Sequence, residues 1–299
     1  MLDEGKAPAG EHAEFEKLLD WILEERGLDC RQYKPAFLQR RLATRMRACQ
    51  ASTFVEYQRR LSRDPAEFPA LFDALTISLT YFFRDPSAFD ALRAQVLVPF
   101  IRERDSALRR RLRIWCAACA SGEEPYSVAI LLDTILGENR RAWKIEILGT
   151  DVDEHALQRA GEAVYPATSF SFDLDSTLLA RYFRPEGKSF RLNHDIRSMV
   201  SFQRHNLLSD PFRSGWDLIL CRNVLIYFTR EQQTRVFRLL HQALRAGGYL
   251  MIGKCELLLG PAAERFEVLD RREHIFRKAL DGSTPAGSVG RGESFYARR

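Results

Sequence analysis

Two adjacent carboxylates, Glu123 and Glu124, follow the small-residue run Ala117-Ala118-Cys119-Ala120-Ser121-Gly122 and precede Pro125. Small side chains let a ligand approach the backbone, and proline suits the first turn of a helix. Helix N-termini attract anions, so two acids at such a place disfavour a pyrophosphate, although acids there also simply complement the helix dipole. The run lacks the G-x-G-x-x-G spacing of a dinucleotide site. Asp151, in Thr150-Asp151-Val152-Asp153, is placed to accept hydrogen bonds from both hydroxyls of a ribose, while Asp153 reads as the cap of the next helix. Asn206-Leu207 offers an amide to an adenine edge and an apolar side chain to its ring. In Arg222-Asn223 the arginine, if buried, needs an acidic partner, so a structural ion pair and a ligand contact are both open. A nucleotide-type pocket with a cation-favouring end suits S-adenosylmethionine, which carries a sulfonium, an ammonium and no phosphate, better than NAD.

These residues need a scaffold that brings strand ends together. From about residue 110, apolar runs at 112–116, 145–149, 199–203, 218–221 and 249–252 alternate with helical stretches, and 274–277 reads as a closing strand. That alternation predicts a parallel sheet with helices on both faces, where ligands bind beyond the carboxyl ends of the strands. Thr229 with Gln232 reads as the capping box of a long helix that Gly247-Gly248 stops. The first 75 or so residues are helical instead. Phe15, Leu18, Leu19, Ile22 and Leu23 share one helix face that Gly27 ends, a second helix begins after Pro35, Thr53-x-x-Glu56 is a capping box, and a fourth helix follows Asp64-Pro65. The expected organisation is a helical domain over 1–78, a linker and connecting helix over 79–110, and an α/β domain over 111–280. An insertion at about 165–198 holds a small β-hairpin, and a flexible tail covers 281–299.

The chain has 299 residues, 45% of them apolar and 28% charged, which is the composition of a globular protein. No stretch reaches the roughly 18 apolar residues of a membrane span, and the N-terminus carries acids where a secretory signal has an apolar core. The expectation is a soluble cytoplasmic protein. Cysteines at 30, 49, 116, 119, 221 and 255 follow no disulfide framework. The single C-x-x-C at 116–119 has no second pair or nearby histidine, so no metal is expected. The net charge of +5 is uneven, because residues 30–63 hold nine Lys/Arg and one acid. That segment suits an acidic macromolecular partner at one place.

Five segments then resemble, in order, the CheR-type chemotaxis-receptor glutamate O-methyltransferases: TYFFRDPSAF at 80–89, RIWCAACASGEEPYSVAILL at 113–132, ILGTDVDEHALQRA at 147–160, WDLILCRNVLIYF at 216–228 and GGYLMIGKCELLLG at 247–260. The resemblance covers about residues 15–278. It implies a Rossmann-like class I S-adenosylmethionine-dependent methyltransferase sheet joined to an N-terminal all-helical domain. It further implies methyl transfer to glutamate side chains on the cytoplasmic helices of a methyl-accepting chemotaxis receptor. By position, Ser78, Thr80, Arg84, Glu124, Asp151, Asn206, Leu207, Arg222 and Asn223 correspond to the family's cofactor contacts, and Arg40, Arg41, Arg45 and Arg47 to its basic receptor-docking helix. Two departures stand out: Ser78 where the family often has asparagine, and Cys255-Glu256 where Ser-Glu is usual.

For such a reaction a glutamate acceptor, with an ordinary pKa of about 4.3, is already ionised at neutral pH and needs no general base. Arg84, able to orient a carboxylate, and Tyr227, able to hold the incoming side chain, are the expected reaction-zone residues. The alternatives are a nucleic-acid amino-methyltransferase, against which Asn223-Val224-Leu225 lacks the Pro-Pro turn that presents a flipped base, and a non-catalytic receptor-binding module. Neither nucleic-acid binding nor membrane insertion is expected.

Overall fold

A computed structural model describes residues 9–76, 80–106, 109–171 and 176–280. The expected tail at 281–299 and Ser78 lie outside the described residues. The chain divides into two compact units, one of Met1–Ile77 with Tyr227–Thr229 and one of Ser78–Ile226 with Arg230–Arg299.

The first unit holds helices α1 (Ala9–Arg26), α2 (Pro35–Ala48), α3 (Phe54–Arg63) and α4 (Glu67–Leu75). Gly27 ends α1 in the left-handed region (φ 67°), its N–H bonding Leu23 O at 2.9 Å. Thr53 caps α3 by accepting the Glu56 N–H, and Glu56 reaches back to accept the Ser52 N–H at 2.7 Å. Leu18, Leu19 and Ile22 from α1 pack with Phe37, Leu38 and Leu42 from α2, Tyr57 and Leu61 from α3, and Leu71 and Leu75 from α4. Leu23 does not join them: at 39% exposed it lies past the edge of the stripe that its spacing assigned it to. Residues 227–229 run against 32–34, with Lys34 N–H to Tyr227 O at 2.9 Å and Thr229 N–H to Gln32 O at 3.1 Å.

The second unit opens with α5 (Pro86–Ala91), which passes through a π-helical turn (Leu92–Leu97) into α6 (Val98–Ser106). Its main sheet comprises β1 (Arg111–Ala117), β2 (Lys144–Asp151), β6 (Val200–Arg204), β7 (Trp216–Cys221), β8 (Leu244–Ile252), β9 (Phe266–Asp270) and β10 (Ile275–Lys278) in the order β6-β2-β1-β7-β8-β10-β9. The first five are parallel; β10 pairs antiparallel with β8 and with β9. Helices α7 (Glu123–Leu136), α8 (Glu154–Glu162) and α11 (Arg230–Ala243) connect parallel strands. The chain winds outward from β1 through β2 to β6, then returns to lay β7 on the other side of β1. That reversal opens a crevice beyond the ends of β1 and β7, where open α/β sheets take their ligands. β7 is buried along its whole length, as a central parallel strand covered on both faces requires.

The insertion carries a second antiparallel sheet of β3 (Val164–Pro166), β4 (Phe183–Glu186) and β5 (Ser189–Leu192), next to the short helices α9 (Ser176–Tyr182) and α10 (His194–Arg197). The expected hairpin is β4–β5, turning at Gly187 (φ 61°), with Pro185 tolerated because β4 is an edge. β3 adds a strand that the sequence reading lacked. Gly247-Gly248 does not stop α11, which has already ended at Ala243. Both glycines sit inside β8, where a Cβ on Gly248 would come within 3.0–3.2 Å of the carbonyl oxygens of Arg245, Trp216 and Asp217.

Candidate active site

The turn between β1 and α7 is the most contorted backbone in the second unit. Ala118 (φ 59°), Ala120 (φ 48°) and Gly122 (φ 91°) all take left-handed conformations, which cost an alanine roughly 1–2 kcal/mol each. Such strain persists only where surrounding bonds impose it. Here Cys119 N–H bonds Thr150 O at 2.9 Å, Gly122 N–H bonds Cys119 O at 3.0 Å, and Ala120 N–H bonds Asp151 Oδ2 at 2.8 Å. Gly122 has no room for a side chain, since a Cβ would lie 2.8 Å from that of Ala160.

Asp151 ends β2, and its second oxygen accepts the Asp153 N–H at 3.0 Å. Burial pushes its carboxyl above the usual range, against the pull of these two N–H bonds. Asp153 caps α8, as its position suggested. The turn's own amide is therefore already occupied by an anion belonging to the chain, at the place where a dinucleotide site would offer it to phosphate.

Glu123 and Glu124 open α7. Glu123 is buried and accepts hydrogen bonds from the hydroxyls of Ser121 (2.8 Å) and Ser169 (3.3 Å); burial pushes its carboxyl up. Glu124 meets Arg222, whose side chain is 2% exposed. Arg222 Nη1 donates to Glu124 Oε2 at 3.0 Å, and Nη2 donates to Asp85 Oδ2 at 2.7 Å and to the carbonyl oxygen of Arg84 at 3.1 Å. Burial pushes the Glu124 carboxyl up while the Arg222 charge pulls it down, and the upward shift prevails. The guanidinium of Arg222 lies in an ion-pair cluster with Glu124 and Asp85.

That cluster fixes the turn carrying Arg84. Asp85 takes a left-handed conformation (φ 62°) before α5, Phe83 N–H donates to Ser127 Oγ at 2.9 Å, and Arg84 lies 5.9 Å from the Tyr81 ring. Phe82, fully buried, stacks on Phe170 at 5.1 Å and meets Tyr165 and Phe183 edge-on. Thr80 starts this anchored segment, half-buried. The Arg222 guanidinium thus meets Glu124 and Asp85, while Glu123 and Asp151 are held separately by serine hydroxyls and backbone amides, so the strand ends carry more acid than base. This donor set suits a cationic nucleoside and opposes a phosphorylated one.

After β6, Asn206 accepts the Leu208 N–H on Oδ1 at 2.9 Å, which fixes its amide and leaves the Nδ2 hydrogens as donors; Leu207 is buried. After β7, Asn223 is left-handed (φ 62°), and the turn it begins is held by Glu256, which accepts the N–H groups of Val224 at 2.9 Å and Leu225 at 2.7 Å. Asp85 and Glu256 were not among the sequence-predicted site residues. A lone acid before a proline and another in a coil after β8 give little to read, since their partners are distant in the chain.

Tyr227 belongs to the helical unit, where its ring lies 4.9 Å from that of Phe37. In the same unit Arg45 is bound by Glu67 through two hydrogen bonds of 3.0 and 2.6 Å, so it differs from Arg40 and Arg47, which are exposed on α2. Arg41 lies over the Phe37 ring at 5.5 Å. Cys116 and Cys119 are buried, and burial pushes both thiols well above their ordinary range. Among the described residues no group of three or more His, Cys, Asp or Glu could hold a metal.

Residues 78–275 match the CheR methyltransferase, SAM-binding domain, and residues 13–76 match the CheR methyltransferase all-alpha domain. The chain is 34% identical over 241 residues to the chemotaxis protein methyltransferase of Listeria monocytogenes, covering 81% of this chain and 88% of that one. It is 32% identical over 249 residues to chemotaxis protein methyltransferase 2 of Pseudomonas aeruginosa, covering 81% and 86%. It also matches an uncharacterised 104.1 kDa protein of Rhodobacter capsulatus at 37% identity over 253 residues, 85% of this chain but only 26% of that one. With both of its domains matched in order and an acid-lined crevice at the switch point of its sheet, this chain belongs to the CheR family of S-adenosylmethionine-dependent methyltransferases.

Proposed function

We propose that the protein transfers a methyl group to glutamate side chains on the cytoplasmic helices of a chemoreceptor, forming glutamyl methyl esters. The observation that carries this reading is the excess of acid at the ends of β1 and β2, where Asp151, Glu123 and Glu124 stand with Asp85 against the one buried guanidinium of Arg222, and among the described residues no histidine is bonded to any of these acids. S-Adenosylmethionine, when bound, supplies a methyl group on a positively charged sulfur. Asp151 receives the ribose hydroxyls, Asn206 and Leu207 take the adenine, and Thr80 and Asn223 flank the ligand. Glu124 faces its cationic end, and Arg84 orients a carboxylate. Arg222 acts from behind, by holding Glu124, Asp85 and the Arg84 carbonyl in place.

The acceptor carboxylate arrives ionised, so these residues have to align and desolvate it rather than deprotonate it. Such positioning supplies up to about 7–11 kcal/mol of barrier lowering. Arg84 carries the reaction-zone part of this reading, and Tyr227, also expected there, packs its ring on Phe37. Arg40, Arg41 and Arg47 on α2 attract an acidic receptor helix, while Arg45 serves the fold. No helix among the described residues is long and apolar enough to cross a membrane, and a cytoplasmic enzyme acting on the cytoplasmic part of a receptor fits that.

Incubation with receptor cytoplasmic fragments and methyl-labelled cofactor tests the reading. The expected label is released by mild alkali as methanol, maps to glutamates, and disappears with Arg84→Ala while that variant keeps wild-type unfolding behaviour. Alkali-stable label, or label on DNA or RNA with salt-dependent binding, points to an amino-methyltransferase instead. Cofactor binding with no transfer to any fragment points to a non-catalytic module.

A further inference from the structure

We propose that Glu256 is a positioning residue that fixes Asn223 at the end of β7, acting as an internal anion that the backbone of two strand ends closes around. The proposal rests on the reading of Asn223 as a cofactor contact.

Glu256 is only 3% exposed, yet among the described residues no lysine or arginine pairs with it. Its partners are backbone amides. Oε1 accepts Val224 N–H at 2.9 Å and Leu225 N–H at 2.7 Å, and Oε2 accepts Gly253 N–H at 2.6 Å. The Asn223 amide lies beside the same carboxylate and helps lower its pKa. One side chain therefore ties the turn after β7 to the turn after β8. An ionised carboxylate accepts on both oxygens and donates nothing, so it alone among side chains of this size can take amides converging from two directions. Bonds to a charged acceptor out of contact with water are the strong ones.

The geometry gives the anion a specific task. Asn223 stands at φ 62°, a conformation that a short amide side chain tolerates but that needs holding. Gly253 lies directly against it: a Cβ there would come within 2.9 Å of Asn223 N, 3.0 Å of Asn223 Nδ2 and 2.9 Å of Glu256 Oε2. The ring of His274 holds Gly253 from behind, with Nδ1 at 3.1 Å from its carbonyl oxygen. Asn223 is thus gripped through its backbone by Glu256 and bounded at its amide by Gly253.

Calorimetry of S-adenosylhomocysteine binding to the full chain, with amide hydrogen exchange, tests this. Asn223→Ala and Glu256→Gln are each expected to weaken binding about tenfold or more, since the glutamine brings hydrogen atoms where an acceptor is needed. The double variant is expected to bind no more weakly than Asn223→Ala alone, because Glu256 acts through Asn223. Exchange of the Val224 and Leu225 amides accelerates in Glu256→Gln, and that of Ala120 does not. Wild-type affinity in Asn223→Ala overturns the reading of Asn223 and the proposal with it. Weakening in Asn223→Ala but not in Glu256→Gln overturns the proposal alone, as does a double variant weaker by the product of the two single effects. Should Glu256→Gln fail to fold, Gly253→Ala keeps the carboxylate and displaces Asn223; unchanged affinity there overturns the proposal.

Discussion

In the helical unit Arg45 gives its whole guanidinium to Glu67, at 3.0 and 2.6 Å, and the Tyr57 hydroxyl adds a third bond at 2.8 Å. In the second unit Arg222 divides its guanidinium between Glu124, Asp85 and the carbonyl of Arg84. Glu67 is buried and Glu124 half-buried, and loss of solvent pushes each carboxyl up. For Glu67 the hydrogen bonds from Arg45, Cys49 and Tyr57 outweigh burial and hold it below the usual carboxylate range. For Glu124 the loss of solvent prevails over the pull of Arg222 and Arg84, the like charge of Asp85 adds to it, and the carboxyl stays high. A cation devoted to one acid makes a stability element. A cation shared between two leaves an acid that still gains from another positive charge nearby, which is what a sulfonium ligand brings.

The sharpest way to break this comparison is to remove the shared cation. Arg222→Met leaves the half-buried Glu124 and Asp85 facing each other without their cation, and losing hydrogen bonds to charged groups at such a site costs about 1–3 kcal/mol. Chemical denaturation of the second unit reads that loss, and methyl transfer is expected to vanish with it because the Arg84 turn loses its tie. Full stability in Arg222→Met would contradict the role given to the cluster. Glu124→Gln is the next effect in size. Because the folded carboxyl is raised, its ionisation lags above the ordinary range of about 4.3, so affinity for S-adenosylmethionine should climb as pH rises through that window. Correspondingly, whatever stability Glu124 contributes is fully present below its ordinary pKa and lost as pH rises through the folded value. Glu124→Gln removes the part of that pH dependence that Glu124 contributes and leaves the share of Asp151, whose carboxyl is also raised. It also weakens S-adenosylmethionine by about 1 kcal/mol more than its neutral-sulfur product, the scale of one partly screened charge contact. Titration calorimetry with both ligands at several pH values decides it.

The two clusters also differ in how far the sequence announces them. Glu124 and Asp151 are legible because each stands at the end of an apolar run, and in a parallel sheet such positions converge on the crevice. The alternation of runs from 112 onward yields the parallel strands for the same reason: buried on both faces, they are nearly continuous apolar segments. β9 escapes that logic, because Phe266–Asp270 lies at the edge of the sheet and mixes acids with Val268 and Leu269. β3 has three residues and ends in Pro166. The partnership of Asp85 with Arg222 spans 137 positions and that of Arg45 with Glu67 spans 22, and neither has a local spacing to betray it. On α2 the helical spacing puts Arg40 and Arg47 on one face and Arg41 and Arg45 beside Phe37 and Leu38; the fold holds Arg45 on Glu67 and keeps Arg40 and Arg47 exposed.

The comparison is also sharpened from the stability side. Tyr57→Phe removes one donor from Glu67 without touching Arg45, and a single hydrogen bond to a charged group at such a site contributes about 1–2 kcal/mol. Glu67 has a folded pKa below its unfolded one, so its stabilisation is present above about pH 4.3 and is lost as pH falls through the folded value. Tyr57→Phe moves that folded value upward, towards the ordinary range. Urea denaturation of the helical unit should therefore show the wild type ahead at pH 7, the gap closing towards pH 3 as the carboxylate is protonated in both. A gap that persists unchanged at pH 3 would mean that the tyrosine hydroxyl acts through packing rather than through the anion it touches.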